Sequence, residues 1–138
     1  MEKSISIAIL MLFFSCSANK TQLEQEIREV EQEFQHLANQ KGLAYAFTTF
    51  ADTQAIIHRN GMLINTHYQI GKYYSKYDSL NLKLQWSPDS IIVAQSGDLA
   101  FSFGEFQLFK VGKNDTLRGY YQTLWKRQLD GGWKYIWD

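Results

Sequence analysis

The sequence predicts an α+β fold, with N-terminal helices packed against an antiparallel sheet. Residues 21 to 42 carry apolar side chains at helical spacing, and from Leu80 onward the pattern changes to period two. Helices therefore come first and strands last, a segregation that puts the helices on one face of the sheet. Length sets the scale: 138 residues suffice for one domain and are too few for two typical ones.

The helices can be taken in order. Thr21-Gln22-Leu23-Glu24 fits a capping box, in which Thr21 accepts a backbone N–H and Glu24 reaches back. Leu23, Ile27, Val30, Phe34 and Leu37 follow as one apolar stripe, with Glu26, Arg28, Glu29 and Gln32 on other faces. The helix ends near Gly42. Leu43 to Phe50 reads as a second short helix, with Leu43, Ala46, Phe47 and Phe50 at helical spacing and Tyr45 on a different edge, facing a cavity. Ala55 to His58 is a short strand, and Arg59-Asn60-Gly61 a turn with a good left-handed residue. Met62 to Ile64 returns as a second strand. Asn65 or Thr66 caps a third helix running through Tyr68, Ile70, Tyr73, Tyr74 and Tyr77.

The strands follow. Leu82, Leu84 and Trp86 alternate with Lys83 and Gln85, and Pro88 ends that strand. Ile91 to Gln95 is the next, and Ser96-Gly97-Asp98 turns the chain. Leu99 to Val111 is a long strand with apolar residues on both faces. Residues 112 to 115 turn again into a strand from Thr116 to Leu129. Asp130-Gly131-Gly132 leads to the final strand. A two-residue loop there would split the rings between faces. A three-residue loop, with Gly132 left-handed, pairs Leu129 with Trp133, Arg127 with Tyr135 and Trp125 with Trp137. It places Tyr121, Trp125, Trp133, Tyr135 and Trp137 on one face, and Gln122, Lys126, Gln128, Lys134 and Asp138 on the other. Burial of one face fixes register, and selects this loop.

The N-terminus reads as a targeting segment. Lys3 precedes an apolar run from Ile5 to Phe14, ten residues where a spanning helix needs about 20. The run ends at Ser15-Cys16, and Cys16 is the only cysteine, so no internal disulfide forms. The position resembles a bacterial lipoprotein signal, cut before a cysteine that carries the lipid. The expected organisation is a signal over 1–15, a tether over 16–20 and one domain over 21–138. The expected location is the cell envelope, on the periplasmic side, anchored to the membrane by lipid on Cys16.

Three stretches carry a wider resemblance: LAYAFTTFADTQAIIHRNGMLI after the first helix, SGDLAFSFGEFQL, and the closing GYYQTLWKRQLDGGWKYIWD. The arrangement resembles the nuclear transport factor 2-like superfamily, also called SnoaL-like or ketosteroid-isomerase-like, and most closely its bacterial branch known as domain of unknown function 4440. The resemblance covers about residues 21 to 138 and ends on the family's strand, D-G turn and W-x-x-x-W. It implies a cystatin-like cone, in which a strongly curved sheet wraps the helices around an apolar cavity. It also implies frequent dimers through the outer sheet face. Members include isomerases, cyclases, dehydratases and proteins that only bind, so the fold does not settle function.

An acid or base inside an apolar cone has a perturbed pKa, which suits proton transfer near neutral pH. Three residues are candidates: Asp52 after the second helix, His58 before the Asn-Gly turn, and Glu105 in the long strand. Glu105 faces the cone if Leu99, Phe101, Phe103 and Phe109 do. It faces solvent or a partner if Ala100, Ser102, Gly104, Phe106 and Leu108 point inward. Both faces are apolar, so periodicity leaves this open. Tyr45, Trp86, Tyr121, Trp125 and Trp137 are candidates for the ligand-binding wall, the alternative being that they fill the core.

His36, His58 and His67 have no Asp or Glu at ligand spacing, so no metal site is expected, and no cofactor. There is no nucleophile triad and no phosphate-binding glycine loop. Lys plus Arg equals Asp plus Glu at 14 each, which gives no electrostatic reason to expect nucleic acid. Three functions follow. The first is an exported, lipid-anchored domain that binds a small apolar or aromatic molecule. The second is an acid–base enzyme of isomerase, dehydratase or hydrolase type. The third is a protein-interaction module of the envelope. A homodimer is expected, because strand 99–109 is apolar on both sides.

Overall fold

The computed structural model describes residues 20–138. The signal segment, Cys16 and all of the tether but Lys20 lie outside the described residues. The described residues hold three helices: α1 (Lys20–Lys41) and α2 (Leu43–Phe50) come first, and α3 (His67–Asp78) follows the first two strands. Among the described residues six strands form one sheet: β1 (Ala51–Arg59), β2 (Met62–Ile64), β3 (Leu82–Val93), β4 (Leu99–Lys110), β5 (Thr116–Arg127) and β6 (Trp133–Trp137). Their order is β2-β1-β6-β5-β4-β3, with β2 and β3 as unclosed edges. All neighbours are antiparallel except β1 and β6, which run parallel. The short final strand thus sits mid-sheet between the first strand and the meander.

Helix α1 buries the predicted stripe. Leu23, Ile27, Phe34 and Ala38 are buried, with Val30 and Leu37 packed beside them. The sheet curls around this helix. Gln35 Oε1 accepts the Trp86 N–H of β3 at 2.5 Å, while Glu26 accepts the Trp133 indole N–H of β6 at 3.0 Å. Helix α2 is capped from a distance: Asp78 accepts the N–H of Leu43 at 2.7 Å and of Ala44 at 3.3 Å. Thr66 caps α3 by accepting the Gln69 N–H at 3.1 Å. Asn60 and Gly61 both have positive φ, 52° and 76°, as a two-residue Asn-Gly hairpin requires. Strand β1 is longer than the sequence predicts and starts directly after α2.

Pro88 does not end its strand. β3 continues to Val93, with an irregularity between Pro88 and Ser90. Because β3 is an edge strand, a missing N–H there costs no ladder bond, and the bulge absorbs Asp89 as an extra residue. Gly104 lies opposite, where a Cβ would run into the Ser87 carbonyl oxygen.

The face question in β4 is settled by burial. Ala100, Ser102 and Gly104 are buried and Phe106 and Leu108 follow inward, while Phe103 and Glu105 are exposed. In the closing hairpin the sharing of faces holds, but from Trp133 to Tyr135 the register is two residues away from the predicted one, and an irregularity between Leu124 and Trp125 then pairs Trp137 with Leu124. Trp125 pairs with Tyr135 and Arg127 with Trp133. Five residues form the loop. Gln128 N–H donates to the Gly132 carbonyl at 2.8 Å, Gly131 is the left-handed residue, and Leu129 is fully exposed. A shift of two preserves which side chains face inward, so the one-face argument does not separate the two registers. Asp138 also differs. It lies beyond the last residue of β6, where alternation no longer applies, and it turns inward.

Candidate functional site

Phe34 of α1 anchors the interior. Its ring lies 4.8 Å from those of Phe47 and Phe50, 5.2 Å from Trp86 and 6.1 Å from Tyr135. On one side this cluster is closed. On the other it opens into a cavity of about 530 Å³. Trp86 of β3, Phe106 of β4, Tyr121 of β5, Trp137 of β6 and Tyr73 and Tyr77 of α3 line it, all half-buried. Gly119 makes room in the wall: a Cβ there would stand 2.7 Å from Phe106 Cε1.

Glu31 reaches the cavity from α1 and is only 2% exposed. Four donors converge on it. Oε1 accepts from the Ser102 hydroxyl and from Trp125 Nε1 at 3.2 Å; Oε2 accepts from Trp86 Nε1 at 2.5 Å and from the Tyr121 hydroxyl at 3.0 Å. Burial pushes its pKa up from 4.5, and the four hydrogen bonds oppose that. The carboxylate has no acceptor position left for a substrate proton.

Arg59 and Asp138 form the second polar group. Arg59 Nη2 is ion-paired with Asp138 Oδ1, Nε donates to the Tyr74 hydroxyl at 2.9 Å, and Nη1 donates to the His58 carbonyl at 2.9 Å. Asp138 Oδ2 accepts from Thr123 at 2.8 Å. Burial is the largest single influence and works against the guanidinium charge, but the Asp138 carboxylate and the Tyr74 hydroxyl together outweigh it and raise the pKa. At the edge of α3, Tyr73 and Tyr77 are hydrogen-bonded to each other. Burial, then that bond, pushes Tyr73 up to about 12, while the bond from Tyr73 and the nearby Lys76 hold Tyr77 below the usual phenol value.

The sequence candidates divide accordingly. Trp86, Tyr121, Trp137 and His58 line the cavity, with the His58 ring 6.3 Å from that of Trp137. Trp125 is fully buried beneath the wall and acts on it through Glu31. Tyr45 is 55% exposed and stands away from the cavity. Glu105 is exposed on the outer sheet face, opposite Ser87 and Tyr120. Asp52 does not line the cavity either. It accepts from the Gln54 N–H at 2.9 Å and from Gln128 at 3.0 Å, and lies 3.7 Å from Lys126 Nζ. The Gln54 bond above all holds its carboxyl below the usual range. Asp52 thus ties the start of β1 to the end of β5. Among the described residues no cluster of His, Cys, Asp and Glu is placed to hold a metal ion.

Glu31, Arg59 and Asp138 escaped the sequence reading. Glu31 had a signal: it lies four residues after Ile27 and three before Phe34, a charge inside the apolar stripe. Arg59 read as a turn residue, and the position of Asp138 depends on where β6 ends.

A half-open sheet wrapped on three helices around a ring-lined cavity defines a class: the chain has the nuclear transport factor 2-like, or cystatin-like, fold. Solved structures agree. A nuclear transport factor 2-like protein of unknown function from Shewanella oneidensis superposes with a TM-score of 0.68 at 19% identity, covering 83% of this chain and 94% of that one. A domain of unknown function with a cystatin-like fold from Nostoc punctiforme gives 0.70 at 16% identity, covering 86% and 76%. A candidate ketosteroid isomerase from Shewanella frigidimarina gives 0.64 at 18% identity, covering 83% and 94%. No protein-family model matches the chain, and no curated protein matches it.

Proposed function

We propose that the protein is a binding domain that takes a small, flat, largely apolar molecule into the cavity of its cone. One observation carries this reading: a cavity of about 530 Å³ is walled by half-buried rings from α3, β3, β4, β5 and β6 rather than filled by them. Such a volume falls within the range of small-molecule sites, and apolar walls with a few fixed polar groups are their usual lining. Acid–base catalysis has less support. Glu31 is saturated by its four donors, and Asp52 and Glu105 stand outside the cavity. His58 alone of the proposed acids and bases lines it.

We further propose that the domain works in the cell envelope, on the periplasmic side, held by lipid on Cys16. The apolar run ending at that cysteine supports this. On the sequence resemblance we assign it to the branch known as domain of unknown function 4440. The outer sheet face supports a homodimer. Ile92, Leu99, Phe103 and Tyr120 are exposed there, with Phe103 and Tyr120 stacked at 5.7 Å.

Native mass spectrometry tests the binding reading, using a form that begins at Ser17 and is purified without detergent from cells grown in rich medium. The expected result is an extra mass that persists in the folded protein and is lost on unfolding. A clean apo spectrum, unchanged when flat aromatic compounds are added, contradicts it.

A further inference from the structure

We infer that Asp138 sets the charge selectivity of the cavity: by cancelling Arg59 it makes the site one for uncharged ligands. The inference rests on the binding reading above and deepens it. Among the described residues, four acidic or basic side chains line the cavity: Glu31, His58, Arg59 and Asp138. Lys76 lies over the Tyr73 and Tyr77 rings at 4.1 and 4.9 Å, but it is exposed and does not line the cavity.

Each of the three strong charges already has partners. Arg59 uses Nε on Tyr74, Nη1 on the His58 carbonyl and Nη2 on Asp138. Asp138 uses Oδ1 on Arg59 and Oδ2 on Thr123. Glu31 uses both oxygens on four donors. A charged ligand would have to leave water for a ring-walled site whose buried charges are already paired, and desolvation of an unpaired ion is strongly unfavourable. A neutral ring compound meets no such cost. Hydrogen-bonding capacity remains for it. Tyr121 donates to Glu31 and keeps its oxygen as an acceptor, while Tyr74 accepts from Arg59 and keeps its proton to donate.

The selectivity is therefore a balance of two adjacent residues, and removing either one should tip it. Asp138→Asn leaves the Arg59 charge without its partner, which favours an anion. Arg59→Gln leaves the Asp138 charge, which favours a cation.

The test is isothermal titration at pH 7.5 with three probes of similar shape: 2-naphthol, 2-naphthoate and 2-naphthylmethylammonium. The wild-type protein should bind the naphthol about tenfold or more tightly than either ion. Asp138→Asn should shift preference toward the naphthoate, Arg59→Gln toward the ammonium, and the double variant should return to the naphthol. Circular dichroism shows which variants fold, and either single variant suffices for the test. If the wild-type protein binds all three alike, or the folded variants keep its order of preference, the inference is overturned while the binding reading stands. If no probe binds any of the proteins, the binding reading falls and the inference with it.

Discussion

Four donors converge on the Glu31 carboxylate, and of these only Trp125 has a second acceptor, Ser102 Oγ at 3.0 Å. Trp125 and Ser102 are fully buried, so no solvent replaces the lost acceptor. Glu31→Ala should therefore cost about 3 kcal/mol or more in urea unfolding, since a stranded buried donor costs about 1–3 kcal/mol. The pH dependence has a defined sign. A carboxyl whose pKa is raised in the fold contributes stability that is complete below its unfolded value and lost as pH rises through the folded value. Wild-type stability relative to Glu31→Gln should thus fall as pH rises from 4.5. Denaturation midpoints of the two proteins across pH 4 to 8 check this, and a flat difference would show that the four hydrogen bonds fully offset burial. At residue scale the sequence was readable wherever one side chain has one neighbourhood. The Asn60-Gly61 turn and the Thr66 cap follow from local chemistry alone. Arg59 and Asp138 did not, because their partners are set by a parallel strand pair 79 residues apart in sequence.

Among the elements, β4 and β5 depend on two glycines for different reasons. Gly104 faces backbone, so Gly104→Ala meets the Ser87 carbonyl in the β3 bulge. A clash with backbone has no cheap relief, and this variant should lose about 3 kcal/mol or fail to fold. Gly119 faces a ring, and Gly119→Ala pushes Phe106, which lines the cavity. Its thermal stability should change less than that of Gly104→Ala, while its affinity for an aromatic probe should change more. Equal effects on both properties would argue that Phe106 is only core. The helices were legible because one face of each is buried and period 3.6 records it. The strands were legible as strands, but β4 is apolar on both sides and its inner face was not. The closing hairpin shows the same limit, since a slip of two residues leaves every side chain on its face.

The described residues form a cone with two apolar surfaces, one lining the cavity and one on the outer sheet. The outer surface predicts self-association. Analytical ultracentrifugation of residues 17–138 should find a dimer, and Phe103→Lys, at an exposed position beside Tyr120, should dissociate it without unfolding. A wild-type monomer at micromolar concentration would contradict that proposal and leave the cavity untouched. The fold class was open to sequence reasoning because the helical stretches precede the four strands of the meander along the chain. The cavity was not, because the same rings at the same spacing can fill a core or wall a void. Trp125 and Trp86 illustrate this. Both donate to Glu31, yet one is fully buried and the other faces the cavity.

The tryptophans also supply the most direct measurement. In a protein labelled with nitrogen-15 at tryptophan, the indole N–H signals can be followed while 2-naphthol is added. Trp86 and Trp137 line the cavity, whereas Trp133 is buried against α1 with its N–H on Glu26. Binding in the cavity predicts saturable shifts of the Trp86 and Trp137 signals with Trp133 unmoved. Signals that stay in place, or a shift confined to Trp133, would contradict it.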